Sequence, residues 1–264
     1  MLTVSIPTWN TPDALVQRSV ESVLASEGVA LRLIVVRDGG APLPPLPKDS
    51  RLIVHEREQN EGRYYSDSVV VEALGASRNQ VWAVLDADDW VEPGHYARLV
   101  RAQATHDGAV VAPYRRREPG RPVRLVKPQE RRLNAADGTF RHLIHWCAGA
   151  YRLDRVHRAG GVHAGFRVGF DTLFLLMLSL TGPVGTIATP GYNWERRREG
   201  SLTTSKDTRF GSPQRIEAKR RLVALYERAY AAGPSKAGQV IRDDVPPNLS
   251  ERVLAEAVEL RKRL

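Results

Sequence analysis

Apolar residues are distributed along this chain in two alternating patterns. Short runs at Leu2–Ile6, Leu31–Val36, Leu52–His55, Val81–Leu85 and Val110–Pro113 have the length and β-branched content of strands. Between them, apolar positions recur every three or four residues, as on one face of a helix. Leu15, Val16, Val20, Val23 and Leu24 form such a stripe, with Asp13 placed to cap it and Gly28 to end it. Tyr64 to Gly75 and His95 to Thr105 form two more. The segment from Ala41 to Asp49 holds four prolines and reads as a loop. Strand and helix alternating in this way call for an α/β domain: a mostly parallel, Rossmann-like sheet flanked by helices. Further on, Thr172 to Leu180 reads as an apolar helix, and Gly182-Pro-Val-Gly185 leads into a last strand, Thr186 to Thr189. Two basic amphipathic helices, Gln214 to Ala231 and Leu249 to Leu264, follow on either side of the Ala232-Gly-Pro break.

The most informative run is Val81–Leu85, because it leads directly into Asp86, Asp88 and Asp89. The C-terminal end of a strand is where open α/β sheets bind ligands. Carboxylates packed this closely repel one another unless a cation lies among them, and a divalent ion carrying a phosphate meets that need. An acidic turn that caps the next helix is the other reading.

Composition narrows the class. The single cysteine, Cys147, excludes a disulfide framework and a cysteine-based zinc site. The longest apolar stretch, Leu173 to Leu180, is too short to span a bilayer, and the first residues read as a strand rather than a signal peptide. The expectation is a cytoplasmic protein without a transmembrane segment, with peripheral contact to a membrane as one variant. The net charge of +9 over 264 residues attracts polyanions, either DNA or an anionic membrane surface, unless it reflects a generally arginine-rich surface.

Four motifs, Ser5-Ile-Pro-Thr-Trp-Asn10, Val35-Val-Arg-Asp-Gly-Gly40, Asn60-Glu-Gly-Arg63 and Leu85-Asp-Ala-Asp-Asp-Trp90, occur in the order and spacing of the family 2 glycosyltransferases. The chain resembles that family over about residues 2–205. The resemblance implies the GT-A fold over residues 1–205, with a nucleotide-binding half (1–113) and an acceptor-side half (114–205). A helical C-terminal extension (206–264) lies outside it. It further implies that Pro7, Thr8 and Asn10 line the nucleotide pocket, that Asp38 accepts a hydrogen bond from the base, and that Arg63 approaches the base or diphosphate. By the same resemblance Asp86 lies near the ribose and Asp88 holds Mn²⁺ or Mg²⁺ against the diphosphate of a nucleotide sugar, most often a uridine one. The chain departs from the family at two places in this half. Ser66-Asp67 stands where many members have Arg-Asn, and Arg37 replaces a frequent first acid.

In the second half, Tyr114 to Arg132 carries eight Lys or Arg against two Glu and reads as a surface hairpin or loop, either solvated or serving as a platform for a polyanion. Phe140 to Asp154 resembles the family segment lining the acceptor side. Within it Gly149 is an acceptor contact, and Trp146 is either a stacking surface or a core residue. His142 and His145 read as structural or exposed rather than as metal ligands. Asp171 stands where inverting members carry their general base, with Phe170 in place of the usual preceding Glu; capping the following helix is its alternative role. Tyr192 to Thr203 resembles the segment that closes over the donor. Arg198 takes the approximate place of a histidine metal ligand, and Arg196, Arg197 or Arg198 would contact the diphosphate.

The implied function is sugar transfer from a nucleotide sugar to a hydroxyl, metal-dependent and inverting. The acceptor is a glycan, a lipid-linked sugar or a hydroxylated nucleobase in DNA. A nucleotidyltransferase and a non-catalytic basic module binding nucleic acid or glycan are the alternatives. The first lacks its glycine-rich basic loop here, and the retained acids speak against the second.

Overall fold

A computed structural model describes residues 1–128, 145–196 and 211–264, with the backbone of 133–134 and 139–140 between them. The strands are β1 (Leu2–Thr8), β2 (Leu31–Asp38), β3 (Leu52–Arg57), β4 (Val81–Val84), β5 (Trp90–Val91), β6 (Ala109–Val111), β7 (Tyr114–Arg117), β8 (Arg124–Val126), β9 (Leu133–Asn134), β10 (Thr139–Phe140), β11 (Gly149–Arg152), β12 (Gly185–Thr186) and β13 (Tyr192–Glu195). The helices are α1 (Asp13–Leu24), α2 (Arg63–Leu74), α3 (His95–Ala102), α4 (Leu153–Arg158), α5 (Phe170–Leu180), α6 (Pro213–Ala232), α7 (Ala237–Asp244) and α8 (Pro247–Arg261).

The main sheet has the order β12-β6-β11-β4-β1-β2-β3. Strands β4, β1, β2 and β3 run parallel, as do β12 and β6, while β11 is antiparallel to both its neighbours. All seven residues of β1 are buried, as expected of a parallel strand covered on both faces. The strand order reverses direction at β1, since β2 follows it on one side and β4 lies on the other. Such a switch point opens a crevice at the strands' C-terminal ends. Strand β4 pairs with β1 only as far as Ser5–Val84, while β1 continues to Thr8 beside β2. Pro7, which has no amide hydrogen to donate, is tolerated where β1 has outrun β4.

The elements expected from the patterning are present, with ends displaced by a few residues. Three features depart from expectation. Asp13 does not cap α1: Pro12 is the capping residue, makes no side-chain cap bond, and leaves Asp13 in the first turn, where its charge suits the helix dipole. The small-residue stretch Gly149-Ala-Tyr-Arg is a central strand, β11, inserted between β4 and β6. The chain also does not end its strands at Thr189. Strand β13 joins β5, β7 and β8 in a second sheet, order β5-β13-β7-β8, that short, mainly polar segments did not announce. The antiparallel pair β7–β8 is the hairpin expected after Tyr114.

The C-terminal helices fold back onto this body. Helix α6 packs on α5 and α7, and α8 packs along α2. Helix α2 is thereby buried on nearly every side, Tyr64 to Val71 included. Among the described residues no helix is long and apolar enough to cross a membrane.

Candidate functional site

The C-terminal edge of the sheet collects most of the titratable residues singled out above. Where β4 ends, Leu85 N still donates to Ser5 O at 2.9 Å, and the chain then turns through Asp86 to Asp89. The polar face of α1 holds this turn. Ser19 Oγ donates to the Asp89 carbonyl, Arg18 Nη2 donates to the Asp88 carbonyl at 2.6 Å, and Ser22 Oγ accepts from Val91 N at 3.2 Å. Arg18 Nη1 also pairs with Glu195 at 2.7 Å, tying α1 to β13.

The three acids have different surroundings. Asp89 is buried; its carboxylate accepts from the Tyr192 hydroxyl and from Glu195 N at 2.8 Å. Burial, reinforced by the negative charges of Asp88 and Asp86, pushes its carboxyl well above the usual range. Asp86 behaves oppositely. Burial works to raise its pKa, but the Arg63 guanidinium, with help from His145, holds it below the ordinary value. Arg63 Nη1 donates directly to Asp86 Oδ1. Asp88 is half-buried and points from the same turn. Carboxylate oxygens of all three lie within 4.8 Å of one another. An all-oxygen donor set on a short turn fits a hard divalent cation. Asp89 is turned inward to Tyr192, and Asp86 is engaged by Arg63.

Arg63 and Tyr64 open α2, and between them they reach two acids. Burial of Arg63 disfavours its charge, but Asp86 together with Cys147, Asp67 and Tyr64 outweighs that and raises its pKa well above the ordinary value. Its guanidinium lies 5.0 Å from the centre of the Trp146 ring. The Tyr64 hydroxyl donates to Asp171 Oδ1 at 3.2 Å, and burial together with the Asp171 charge keeps that phenol protonated. Asp171 lies in the first turn of α5 but does not cap it: the capping position is Gly169, at φ +81° with no side-chain cap bond. The carboxylate is half-buried and turned toward α2 instead.

Asp38 is buried at the end of β2, with both oxygens occupied. Oδ1 accepts from Arg57 Nη1 at 2.6 Å and from Glu61 N at 3.0 Å, and Oδ2 accepts from Gly62 N at 2.7 Å. It therefore holds the turn before Arg63 rather than facing an open pocket. Thr8 is buried at the end of β1. Asn10 is exposed at φ +48°, its Oδ1 accepting from Ala41 N at 2.9 Å. Gly40, at φ +75°, makes that approach possible, because a Cβ there would meet Asn10 Oδ1 at 2.4 Å.

The two acceptor-side candidates are both buried. Trp146 is 1% exposed, its ring edge-on to Tyr64, Trp82 and Phe174, so the core alternative holds and no face is open for a sugar. Gly149 is likewise buried in β11, where an added Cβ would meet the Tyr151 hydroxyl at 2.4 Å; it serves packing. Arg196 is directed to the hairpin, 3.7 Å from Glu118. Arg197, Arg198 and His142 lie outside the described residues, as does the remainder, 199–203, of the segment expected to close over the donor.

Several residues at this edge have no part in the site as the sequence alone describes it. His145 and Cys147 sit against Asp86, their ligand atoms within 4.8 Å of one another. Burial holds the thiol protonated, and Cys147 Sγ donates to Asp86 at 3.5 Å. Burial also lowers the His145 pKa, outweighing the pull of Asp86 and Asp171. Trp9, 51% exposed at the end of β1, presents a large aromatic face there. Its signal was its place in the first motif.

The departure at Ser66-Asp67 has a structural counterpart. Ser66 Oγ accepts from Arg57 Nη1 at 3.2 Å, so a β3 arginine already occupies that space. Asp67 is fully buried; Oδ1 accepts from Ser5 Oγ at 2.9 Å and Oδ2 has no hydrogen-bond partner. Burial pushes its pKa from 3.8 up to about 7, against the opposing pull of Arg63 and Ser5. The folded state thus holds this proton more tightly than the unfolded chain. Its contribution favours folding at low pH and is lost as pH rises toward about 7. Asp67→Asn is expected to gain stability over the wild type progressively from about pH 4 to about pH 7 in urea denaturation. An equal difference at both ends would mean that no buried charge forms.

The profile of glycosyl transferase family 2 matches residues 3–159. Succinoglycan biosynthesis protein ExoO of Rhizobium meliloti (strain 1021) is 35% identical over 118 residues, 42% of this chain and 32% of that protein. The chain thus spans about a third of that relative's length. Among solved structures, S. aureus TarS 1–349 in complex with UDP-GlcNAc superposes with a TM-score of 0.65 at 16% identity, covering 97% of this chain and 71% of that one. GalNAc-T7 with UDP, GalNAc and Mn²⁺ gives a TM-score of 0.61 at 14% identity, covering 92% of this chain and 54% of that one. The shared architecture is the GT-A fold.

Proposed function

Because the chain belongs to glycosyl transferase family 2, we propose that it moves a sugar from a nucleotide sugar to an acceptor hydroxyl, with inversion at the anomeric carbon. The observation that carries this reading is the first turn of α2. Arg63 there meets Asp86 from the end of β4, and the adjacent Tyr64 meets Asp171 from the start of α5. Two acids from distant parts of the chain are thereby set on either side of one helix N-terminus, at the switch point of the sheet.

In this reading the nucleoside diphosphate lies along the C-terminal ends of β1 and β4. Thr8 and Asn10 line its path and the exposed Trp9 ring offers a face to the base. Asp38 fixes the turn that delivers Arg63. Arg63 and the α2 N-terminus favour the diphosphate's negative charge. Asp88 would hold Mn²⁺ or Mg²⁺, which supplies charge neutralisation for the departing diphosphate. Mn²⁺ accompanies UDP in the GalNAc-T7 structure, and UDP-GlcNAc is bound in that of TarS; these support a uridine donor here. Asp171 takes the proton from the acceptor hydroxyl as that oxygen attacks, with the protonated Tyr64 holding the carboxylate in place. The acceptor is a glycan, a lipid-linked sugar or a hydroxylated nucleobase. The exposed Arg121, Arg124 and Lys127 of the β7–β8 hairpin favour an anionic one.

Thermal unfolding with UDP, GDP, CDP and dTDP, each with and without Mn²⁺, tests the donor site. A ligand that binds only the folded state raises the melting temperature by mass action. One nucleotide is expected to do so in a Mn²⁺-dependent way; silence with all four would remove the donor site and the transferase reading with it.

A further inference from the structure

Helix α8 lies outside the 3–159 span that matches the family, yet its inner face ends at the turn that delivers Arg63. Glu256 Oε1 accepts from Arg57 Nε at 2.8 Å and lies 2.7 Å from His55 Nε2. Arg57, on β3, is buried, and its guanidinium lies 4.1 Å from the centre of the Tyr65 ring. Through Nη1 the same guanidinium donates to Asp38 Oδ1 at 2.6 Å. Asp38 in turn accepts from the backbone of Glu61 and Gly62, the two residues before Arg63. A second contact runs in parallel. Arg252, one turn before Glu256, ion-pairs with the Glu61 carboxylate and lies 5.5 Å from the Tyr65 ring. The turn needs this support because its geometry is demanding. Gly62 sits at φ +93°, and Gly39, at φ +67°, approaches it so closely that a Cβ would meet Asn60 N at 2.8 Å.

We propose that Glu256 and Arg252 are positioning residues for the donor site: acting through Arg57, Asp38 and Glu61, they hold the Asn60–Gly62 turn so that Arg63 projects toward the donor diphosphate. The proposal rests on the reading of the Arg63–Asp86 corner as the diphosphate site. Its physical basis is the cost of breaking a buried charge chain. Removing Glu256 takes from Arg57 the acceptor on one edge of its fork and leaves a buried guanidinium with Asp38 as its remaining carboxylate partner. The Arg57–Asp38 pair then shifts, and the backbone amides bonded to Asp38 shift with it.

The test is calorimetric titration of the full chain with UDP, GDP, CDP and dTDP in the presence of Mn²⁺, alongside melting temperatures. Glu256→Ala is expected to weaken the nucleotide that binds by about five- to twenty-fold. Glu256→Gln, which returns an acceptor oxygen to Arg57, is expected to recover most of that loss. Arg261→Ala is the control for helix docking alone. Arg261 anchors α8 at the far end of α2, on the carbonyls of Glu72 and Ala73 at 2.6 and 2.9 Å. It should lower the melting temperature while leaving affinity within about two-fold. Should Glu256→Ala not fold, Arg252→Ala reads the same relay at a side chain that is 51% exposed, with an expected loss of about three-fold. Affinities that follow the melting temperature across all variants, or that do not change in Glu256→Ala and Arg252→Ala, overturn the proposal. A wild-type protein that binds none of the four nucleotides overturns the donor-site reading and the relay together.

Discussion

Asp88→Asn is expected to abolish the Mn²⁺-dependent stabilisation by nucleoside diphosphate and to lower sugar transfer by about a thousand-fold or more, since a bound metal is worth several kcal/mol to a departing anion. The same substitution should leave the protein as stable as before, or more so. Asp88 is one of three carboxylates on a four-residue turn, and its charge is among the causes that push the Asp89 carboxyl up. Removing it relieves repulsion that the folded state otherwise bears. Loss of function with no loss of stability separates a ligand-holding acid from a structural one. A melting temperature that falls together with activity would place Asp88 among the residues that build the turn, and the metal reading would fail. Asp89→Ala should do the opposite. Its carboxylate is buried on the Tyr192 hydroxyl and Glu195 amide, so that change acts on the joint between the two sheets.

Asp171→Asn is expected to reduce kcat by about 10²- to 10⁴-fold, the usual contribution of a general base, with nucleotide affinity unchanged. Asparagine keeps an oxygen that accepts from the Tyr64 hydroxyl, now 3.2 Å from Asp171 Oδ1, so the local packing is preserved. It cannot take up a proton. Because α5 is capped at Gly169 rather than by this side chain, the helix loses no cap. Single-turnover rates with saturating donor, set beside calorimetric affinity for the nucleotide, distinguish the cases. A reduced rate with intact binding supports the base. Unaltered turnover would remove Asp171 from the chemistry and leave it as a partner for Tyr64.

The chain's order of elements was legible from patterning alone, because each short apolar run must be buried and each helical stripe must face a sheet. Strand β1 reads as Leu-Thr-Val-Ser-Ile and is buried throughout; the acids after β4 follow directly from where its apolar run stops. The positions of Arg63, Asp86, Asp88 and Asp171 were legible through motif order. Their partners were not. Nothing in the local sequence pairs Tyr64 with Asp171, 107 positions away, or sets His145 and Cys147 against Asp86. The second of these contacts follows from β11 entering the sheet beside β4 in the antiparallel sense, and its four residues carry no periodicity that marks them as a strand. Trp146 had two readings of equal standing, and only packing against Tyr64, Trp82 and Phe174 chose the core. The role of Asp38 changed for a similar reason. Its motif marks a residue at the end of β2, whereas the buried guanidinium of Arg57 and two backbone amides decide what its oxygens do. Local sequence determines which segments are strand, helix or turn, because propensity and burial act within a few residues. Which side chains share a site depends on strand order and helix docking, and those are settled by contacts between segments far apart in the chain.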